Sequence, residues 1–429
     1  MDFNGEHVVM VFANTPSRGA TLGSLESEGT EFLLTHQLTE YFPQLSQYNS
    51  LKELHESSLY QKLKPEIEQI IQGKEYRNIS LDLEEKPFYR AVAWNVERGM
   101  CYEDILEELE QNPILKHADL LLLTETDSGM ARSKNRNIAR DLAIALKMNY
   151  YFVPAYINLC KGNGMEVDVE GAAEDNELAL HGNAILSRYP IKDLQSIPLK
   201  NCKDKMAGKE KRIGHQQVLA ATIEFPQKTL RAVCIHLDAL STQKQRQNQM
   251  VSILERLKSD PNMPILLAGD WNTSTYNSLH AFFAICGFWY RVFMGVGNVI
   301  ANHYPYPDRY FEKGLFQSLK RFGFDYESCN ELGAGTNHYA IDDIKKYKIL
   351  RDWVPHWCFA FIKWALRSNG GRCSLKLDWF ATKDLKVVKP GDMIKNGSIT
   401  AIVPKVISGL KRDGKELSDH DPIVIDFVL

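Results

Sequence analysis

The sequence lacks the features that mark several classes of protein. Its formal net charge is −3, so there is no general excess of Lys and Arg to attract nucleic acid without sequence preference. The first 19 residues contain no basic segment followed by an apolar one, which argues against a secretory signal. What remains is a folded protein whose 429 residues, 44% of them hydrophobic, are enough for one large core or two domains.

The cysteines lack the spacing of a zinc cluster or of a disulfide framework. No CxxC pair occurs, and the chain is long for a fold that depends on disulfides. This pattern predicts free thiols in a reducing compartment, and we expect a cytoplasmic location. The eight positions are Cys101, Cys160, Cys202, Cys234, Cys286, Cys329, Cys358 and Cys373.

Two parts of the chain differ in the spacing of their apolar residues. Residues 1–86 predict a mostly helical N-terminal extension, because "SLESEGTEFLLTHQLTEYF" and "SLKELHESSLYQKLKPEIEQIIQG" carry apolar residues at helical spacing. Residues 87–429 instead contain short apolar runs, each followed by polar residues, with amphipathic helices between them. Many strands with a few long helices predict sheets covered by helices, an α/β or α+β arrangement.

A long aromatic-rich insert occupies about residues 277–372, far more than a usual connection within a domain. Its first part contains about 20 nearly uncharged residues, the length of a membrane span. However, Arg291 lies at the middle, where a charge costs at least ~2.5 kcal/mol. A single span would also separate Asp270 from Asp378. The remaining alternatives are a buried helical insert or amphipathic segments that contact a membrane surface.

A set of polar residues shares one position, directly after strongly apolar runs. Each residue alone has an ordinary explanation as a turn, cap or core residue. Together they indicate a site, because strand ends that converge on one sheet edge form a crevice. The set is Asn95, Glu125, His236, Asp270, Asn272, Asp378, Asp419 and His420.

The chemistry of this set indicates a divalent cation and a phosphoester. The carboxylates would repel one another, and oxygen ligands without paired thiolates suit Mg²⁺ first and Mn²⁺ or Ca²⁺ next. Mg²⁺ usually takes its remaining ligands from water and a substrate phosphate. The imidazoles and Asn272 would donate to phosphate oxygens, and a carboxylate would act on the attacking water.

Seven stretches spread over residues 88–429 resemble the endonuclease/exonuclease/phosphatase superfamily of metal-dependent phosphohydrolases. This superfamily includes pancreatic-type deoxyribonucleases, abasic-site endonucleases and neutral sphingomyelinases. The pair "GDWNT" and "SDHDPIV" is the most specific part of the resemblance, which implies a four-layer sandwich of two mixed β-sheets flanked by helices. In chain order the stretches are "AWNVERG", "LLLLTETD", "GNAILSRYPI", "CIHLDA", "LLAGDWNT", "KLDWFAT" and "SDHDPIV".

The resemblance implies a metal-binding group of residues. Glu125 is expected to be the principal metal ligand, with Asn95 beside it and Asp419 completing the shell. Asn183, in "HGNAILS", is expected to line the site as a phosphate contact.

The resemblance also implies a catalytic group. Asp270 is expected to orient or deprotonate the attacking water, and Asn272 to hold water and phosphate. His420 would contact the scissile phosphate, and His236 would be a second phosphate contact. Asp378 would keep His420 cationic, because a neighbouring carboxylate raises the pKa of a histidine.

Three nearby features are interpreted without a catalytic role. Asp421 precedes a proline, which predicts a turn or surface position. For Glu97 we expect a solvated loop residue, with support of a metal through water as the alternative. The Lys-rich stretch 200–212 predicts a mobile solvated loop, with a cationic lip for a phosphate-bearing substrate as the alternative.

The motifs define a reaction but not its substrate. The aromatic insert favours a phospholipid or sphingolipid at a membrane surface, since Trp and Tyr favour the interface; otherwise these side chains pack a helical subdomain. A nuclease is the alternative, and a non-catalytic binding module is the least favoured. No protein partner is predicted. The aromatic residues concerned are Phe282, Phe283, Phe288, Trp289, Tyr290, Phe293, Trp353, Trp357 and Trp364.

Overall fold

The computed structural model describes residues 30–78, 84–162, 174–258, 263–277, 279–340, 360, 363–364, 366–367 and 371–429. The helices are α1 (Phe42–Leu45), α2 (Leu51–Glu56), α3 (Ser58–Ile71), α4 (Tyr102–Gln111), α5 (Ile138–Ala145), α6 (Gln243–Leu257), α7 (Ala281–Phe293), α8 (Val296–Asn302) and α9 (Lys313–Arg321).

The strands of the first half are β1 (Thr30–Phe32), β2 (Glu75–Asn78), β3 (Tyr89–Arg98), β4 (Leu120–Ser128), β5 (Asn149–Asn158), β6 (Leu180–Ser187), β7 (Ile191–Pro198), β8 (Arg212–Gly214), β9 (Gln217–Glu224) and β10 (Thr229–Cys234). Those of the second half are β11 (Ile265–Asp270), β12 (Asn337–Ala340), β13 (Arg372–Leu375), β14 (Asp378–Lys383), β15 (Lys386–Val387), β16 (Lys395–Asn396), β17 (Ile399–Thr400), β18 (Lys405–Val406), β19 (Lys411–Arg412), β20 (Lys415–Glu416) and β21 (Ile423–Val428).

Two mixed sheets form the body of the protein. The larger sheet has the order β1-β2-β5-β6-β4-β3-β21-β15, with β8 beside β5 and β18 beside β21. The smaller sheet has the order β14-β11-β10-β9-β7. Each contains a parallel pair, β3 with β4 and β10 with β11. Parallel neighbours need a crossover, and α4 and α6 provide these two crossovers.

The sheets pack face to face because their strands alternate between two apolar faces. On β3, Ala91 and Ala93 point inward, whereas Val92 and Trp94 point to the outer face. The inner core joins side chains from β3 to β6 and β21 with side chains from β9 to β11 and β14. Helices α1 to α5 cover the outer face of the larger sheet, and α6 and α9 cover the smaller. The expected four-layer sandwich is therefore confirmed.

The described part of the N-terminal segment joins the larger sheet at its edge. Helices α2 and α3 form as predicted, but the described residues 30–41 of the predicted first helix contain no α-helix. Within them, Thr30–Phe32 is strand β1, which pairs with β2, and β2 pairs with β5. The buried Glu75 on β2 accepts hydrogen bonds from Tyr150 Oη (2.7 Å) and Leu34 N (3.2 Å). Tertiary pairing thus overrides the local helical pattern, and a domain boundary at residue 86 stays a prediction.

The described part of the insert contains α7, α8, α9 and the β12–β13 hairpin. Helix α9 belongs to the outer layer of the smaller sheet, whereas α8 covers a small cluster that includes Val299, Tyr304, Leu375 and Leu377. No single helix in the described ranges meets the length and hydropathy of a bilayer span; α7 and α8 meet them only together, across a 98° bend. Trp353 and Trp357 lie outside the described residues.

Candidate active site

The site lies where strands of both sheets end. Asp270, the last residue of β11, pairs in register with Asp378, the first residue of β14. Asn95 and Glu125 lie near the ends of the parallel neighbours β3 and β4. His236 follows β10 by two residues. Parallel neighbours end on the same side of a sheet, so these side chains share one crevice.

Irregular backbone turns several of these side chains into the crevice. The β3–β4 ladder shifts register between Asn95 and Arg98, and the β4–β6 ladder shifts between Leu123 and Thr126. Glu125 has a φ of 57° and Asn272 a φ of 49°, values that non-glycine residues seldom adopt. Such bulges and strained positions are common beside sites, because they direct side chains away from the regular ladder.

Asp270 is the centre of the cluster and is almost fully buried. Its Oδ1 accepts a hydrogen bond from the backbone N–H of Asn272 (2.8 Å), and its Oδ2 accepts one from Asn95 Nδ2 (3.2 Å). The Nε2 atoms of His236 and His420 lie 3.6 Å and 3.9 Å from Oδ2. Burial, reinforced by the nearby Asp378 and Glu125 carboxylates, raises the pKa of Asp270 above its usual range.

His420 and Asp378 form a buried dyad. The Nδ1 atom of His420 lies 2.7 Å from Asp378 Oδ2, and the backbone N–H of Asp378 donates to Thr336 Oγ1 (3.1 Å). Burial alone would lower the pKa of His420, but the carboxylates of Asp378, Asp270 and Asp419 outweigh it and raise that pKa well above the usual value. The raised pKa favours the cationic form of this imidazole.

Glu125 and His236 have opposite electrostatic environments. Burial would raise the pKa of Glu125, but Arg98, whose Nη1 lies 3.1 Å from Oε2, holds it well below its usual range. Burial lowers the pKa of His236 to about 4, so its ring is neutral. Its Nε2 lies 3.8 Å from Glu125 Oε1. An ionised carboxylate and a neutral imidazole are the forms in which these groups coordinate a metal ion.

Two predicted residues mainly support their neighbours. Asn272 Nδ2 donates to Leu237 O (2.9 Å) and lies 3.3 Å from Asp270 Oδ2, so this amide helps to orient Asp270. Asn183 Nδ2 donates to Gln217 O (2.9 Å), while its Oδ1 accepts from the backbone N–H of Glu125. The direct contact of Asn183 with phosphate stays a prediction.

Glu97 and Asp421 differ from the sequence-based expectation. Glu97 is buried rather than solvated, and its Oε2 accepts from the backbone N–H of Asp419 (3.0 Å). The bulge in β3 turns Glu97 inward, which the sequence pattern did not indicate. Asp421 is not a simple surface turn, because its Oδ2 lies 2.9 Å from His338 Nε2 on β12. Both carboxylates hold the segment that carries His420.

The Lys-rich stretch is packed against the protein instead of forming a mobile loop. Lys205 Nζ lies 3.0 Å and 3.1 Å from the two oxygens of Asp238. Lys211 Nζ donates to the carbonyls of Ser46 (2.6 Å) and Tyr48 (2.8 Å). The neighbouring Met206 is fully buried. Because the amines of Lys205 and Lys211 are bonded to the protein, they are not available to guide a phosphate-bearing substrate.

A second histidine–carboxylate pair lies near the site and was not predicted from the sequence. His181 Nδ1 lies 2.8 Å from Asp127 Oδ1, and both side chains are buried. The available signal was spacing: His181 precedes Asn183 by two residues on β6, which places both on one face of the strand.

The donor atoms present fit a hard divalent cation. The ligand atoms of Glu125, His236 and Asp270 lie within 4.8 Å of one another, as do those of Asp270, Asp378 and His420. The first set fits better, because His420 Nδ1 is already bonded to Asp378. Asp378 Oδ1 is buried and has no hydrogen-bond partner in the described structure, so it can accept a hydrogen bond from a ligand. Asp419 belongs to neither set.

Known proteins are similar to this chain over most of its length. A family model described as the Endonuclease/Exonuclease/phosphatase family matches residues 92–420, and no curated protein matches. Similar solved structures include an endonuclease/exonuclease/phosphatase from Beutenbergia cavernae DSM 12333 (14% identity, 80% of this chain, 72% of that chain, TM-score 0.45). Another is SmcL, with 13% identity over 80% of this chain and 99% of that chain and a TM-score of 0.38. A third is an AP endonuclease from Archaeoglobus fulgidus, with 12% identity over 79% of this chain and 99% of that chain and a TM-score of 0.43.

Proposed function

The chain belongs to the endonuclease/exonuclease/phosphatase family, and from that premise we propose that it is a divalent-metal-dependent phosphodiesterase. One observation carries the proposal: Asp270 Oδ2 lies 3.2 Å from Asn95, 3.6 Å from His236 and 3.9 Å from His420. These residues come from widely separated parts of the chain. Such a buried acidic and imidazole cluster suits a cation and a phosphoester better than a structural core.

The proposed metal is Mg²⁺, with Mn²⁺ or Ca²⁺ as alternatives, and Glu125, Asn95 and Asp419 are its proposed ligands. The proximity of Glu125, His236 and Asp270 adds Asp270 and His236 as candidates. When bound, the ion neutralises charge on the phosphate and lowers the pKa of a coordinated water. A cation would also favour the ionised form of Asp270, whose pKa burial otherwise raises.

The residues of the chain then have distinct proposed roles in hydrolysis. Asp270, oriented by Asn272, accepts the proton of the water that attacks phosphorus. The phosphorus–oxygen bond to the leaving group breaks as the new bond forms, and the leaving oxygen takes a proton from solvent to become the alcohol. His420, kept cationic by Asp378, donates to a phosphate oxygen and stabilises the growing charge. His236 contacts the same phosphate from the Glu125 side.

The experiment that tests the reaction class is a screen of phosphodiesters with Mg²⁺, namely lipid, DNA, RNA and nucleotide substrates. The Asp270→Ala variant is the blank. Metal-dependent turnover by the natural sequence and its loss in the variant are expected. Turnover that persists in Asp270→Ala, with a folded protein by circular dichroism, would contradict the proposed role of Asp270.

The proposed substrate is a phospholipid or sphingolipid at a membrane surface. Helix α7 exposes Phe282, Phe283, Ile285, Tyr290 and Phe293. Aromatic residues on an otherwise uncharged face favour the bilayer interface.

Charge in two stretches of the insert supports the same substrate class. In the described residues of 279–313 and 360–372, every exposed Asp, Glu, Lys or Arg side chain is cationic, which suits phosphate headgroups. These side chains are Arg309, Lys313, Lys363, Arg367 and Arg372.

A nuclease is the alternative, and liposome co-sedimentation distinguishes the two. Deletion of residues 281–301 would remove α7, but it would also remove Arg291. The guanidinium of Arg291 donates to the carbonyl of Thr275 in the loop after β11. Point substitutions on the exposed face are therefore the better test. Steeply salt-dependent binding to DNA or RNA, without binding to vesicles, would favour the nuclease.

The proposed place of action is the cytoplasm, at a membrane surface. Support comes from the scattered cysteines and from the exposed aromatic face of α7. Cell fractionation, with a salt wash of the membrane fraction, tests this location.

A further inference from the structure

We propose that His181 is a third imidazole that contacts the substrate, donating through Nε2 to a phosphate oxygen on the Glu125 side of the site. This inference rests on the proposed phosphodiesterase function and adds a residue to its binding surface. Its ligand is the anionic phosphoester group itself.

The position of His181 in the fold directs it towards the site. It pairs in register with Asp127, which lies on β4 two residues after Glu125. His181 and Asn183 lie two apart on β6, so their side chains share a face of the sheet. The amide of Asn183 bonds to the backbone of Glu125 and to Gln217 across the two sheets. His181 therefore lies at the same edge of the crevice.

Electrostatics independently place His181 beside the cluster. Its charge is one of the influences that lower the pKa of Glu125, after Arg98 and His236. It also lowers the pKa of His236, and this influence is larger than that of His420. His181 is thus near Glu125 and His236.

A buried charged assembly fixes the ring. Arg132 Nε and Nη2 donate to the two oxygens of Asp127 (2.7 Å and 3.0 Å), and Arg132 Nη1 donates to Glu210 (2.9 Å). Burying such ions costs desolvation free energy, so an ion pair of this kind contributes little net stability. Its evident effect is to hold the Nδ1 side of His181 in one orientation.

The other ring nitrogen is left for a ligand. Across the described residues, no hydrogen bond is formed by Nε2 of His181, although Nδ1 is bonded to Asp127. With Nδ1 held by the Asp127 carboxylate, Nε2 is the ring nitrogen that remains for a phosphate oxygen. The arrangement repeats the His420–Asp378 dyad on the other side of the cluster.

The test compares His181→Ala and His181→Gln with a matched control, His55→Ala, which removes an exposed imidazole from α2. The full chain is assayed with Mg²⁺ on bis(p-nitrophenyl) phosphate, and inorganic phosphate is used as a competitive inhibitor. A charge-assisted hydrogen bond to an anion corresponds to about a tenfold to hundredfold change. His181→Ala should therefore raise KM and the phosphate inhibition constant about tenfold, with a smaller change in kcat. Gln, which keeps a donor, should recover part of the loss.

The results that would overturn the inference are equally specific. The inference is wrong if His181→Ala has a KM and a phosphate inhibition constant within twofold of those of the natural chain. A loss of thermal stability that phosphate does not alter would assign a structural role instead. If the natural chain hydrolyses no diester, the proposed function fails, and calorimetric titration with inorganic phosphate and Mg²⁺ still decides the role of His181. If His181→Ala does not fold, the same titration of His181→Gln is decisive, with unweakened binding as the contrary result.

Discussion

The active-site edge and helix α7 depart from the usual distribution of polar and apolar residues in opposite ways. At the site, charged groups are buried: Asp270 and Asp378 are each 1% exposed. On α7, aromatic groups are exposed: Phe293 is 84% exposed and Phe282 69%. Each departure costs free energy in the isolated protein. Both departures support the proposals made above, a cation and a phosphate bound at the site and an apolar surface bound by α7.

The two regions meet at the loop after β11. Arg291, on α7, turns away from the exposed face, donates to the carbonyl of Thr275 and stacks 3.8 Å from the centre of the Tyr276 ring. Helix α7 therefore buries its charge and exposes its aromatics. The guanidinium of Arg291 therefore does not lie on the exposed face of α7 that we propose contacts a membrane.

The largest expected effect is at the site. Asp270→Asn keeps the shape of the side chain and removes its capacity to accept a proton, so kcat/KM for any diester substrate should fall about 10³-fold. Steady-state kinetics at saturating Mg²⁺ measure this, with the melting temperature as the folding control. A loss smaller than tenfold would show that the buried charge is not the catalytic base.

Asp378→Asn should reduce kcat about 10²-fold and change its pH dependence. The carboxylate raises the pKa of His420, and the cationic ring is lost as pH rises through that pKa. Without the charge the pKa falls, so the alkaline limb of the rate profile should move to lower pH. An unmoved alkaline limb would exclude His420 as the group whose protonation the dyad controls.

Arg291→Leu tests whether the arginine bonds to the interior of the protein or faces a membrane. Because the Thr275 carbonyl loses its guanidinium donor, the free energy of unfolding should fall by about 2 kcal/mol. Urea titration measures this, with Arg291→Lys as the charge-retaining comparison. If stability were unchanged and vesicle binding became stronger, the arginine would instead face the bilayer.

The smallest effect is expected on the exposed face of α7. Phe282→Ser combined with Phe293→Ser should weaken binding to phospholipid vesicles about tenfold, since each ring contributes buried apolar area at the interface. Hydrolysis of a soluble diester should be unaffected. Ile144→Ser, which alters an exposed apolar residue on α5, is the matched control. Equal vesicle binding by all three proteins would favour a nuclease or another soluble substrate.

Much of the site could be predicted because its residues follow apolar strands. Asp270, Asp378, His236, His420, Glu125 and Asn95 were identified from that position, and the structure brings them together at one edge. The layered fold followed from the same alternation of strands and amphipathic helices. These features depend on local periodicity, which a sequence displays directly.

The misjudged features depend on contacts between distant residues. Glu97 is buried because a bulge shifts the register of β3 against β4. His181 meets Asp127 only through the pairing of β4 with β6. The strand β1 forms where helical spacing suggested a helix, because β2 offers a sheet edge. None of these pairings is encoded in a short window.

The sequence by itself determined which chemical groups end the apolar runs, because side-chain identity and strand period are local properties. Only the tertiary structure decided which of those groups meet and in which ionisation state. Strand register sets the distances between their atoms, and burial and neighbouring charges set their pKa values. Both are properties of the packed sheets.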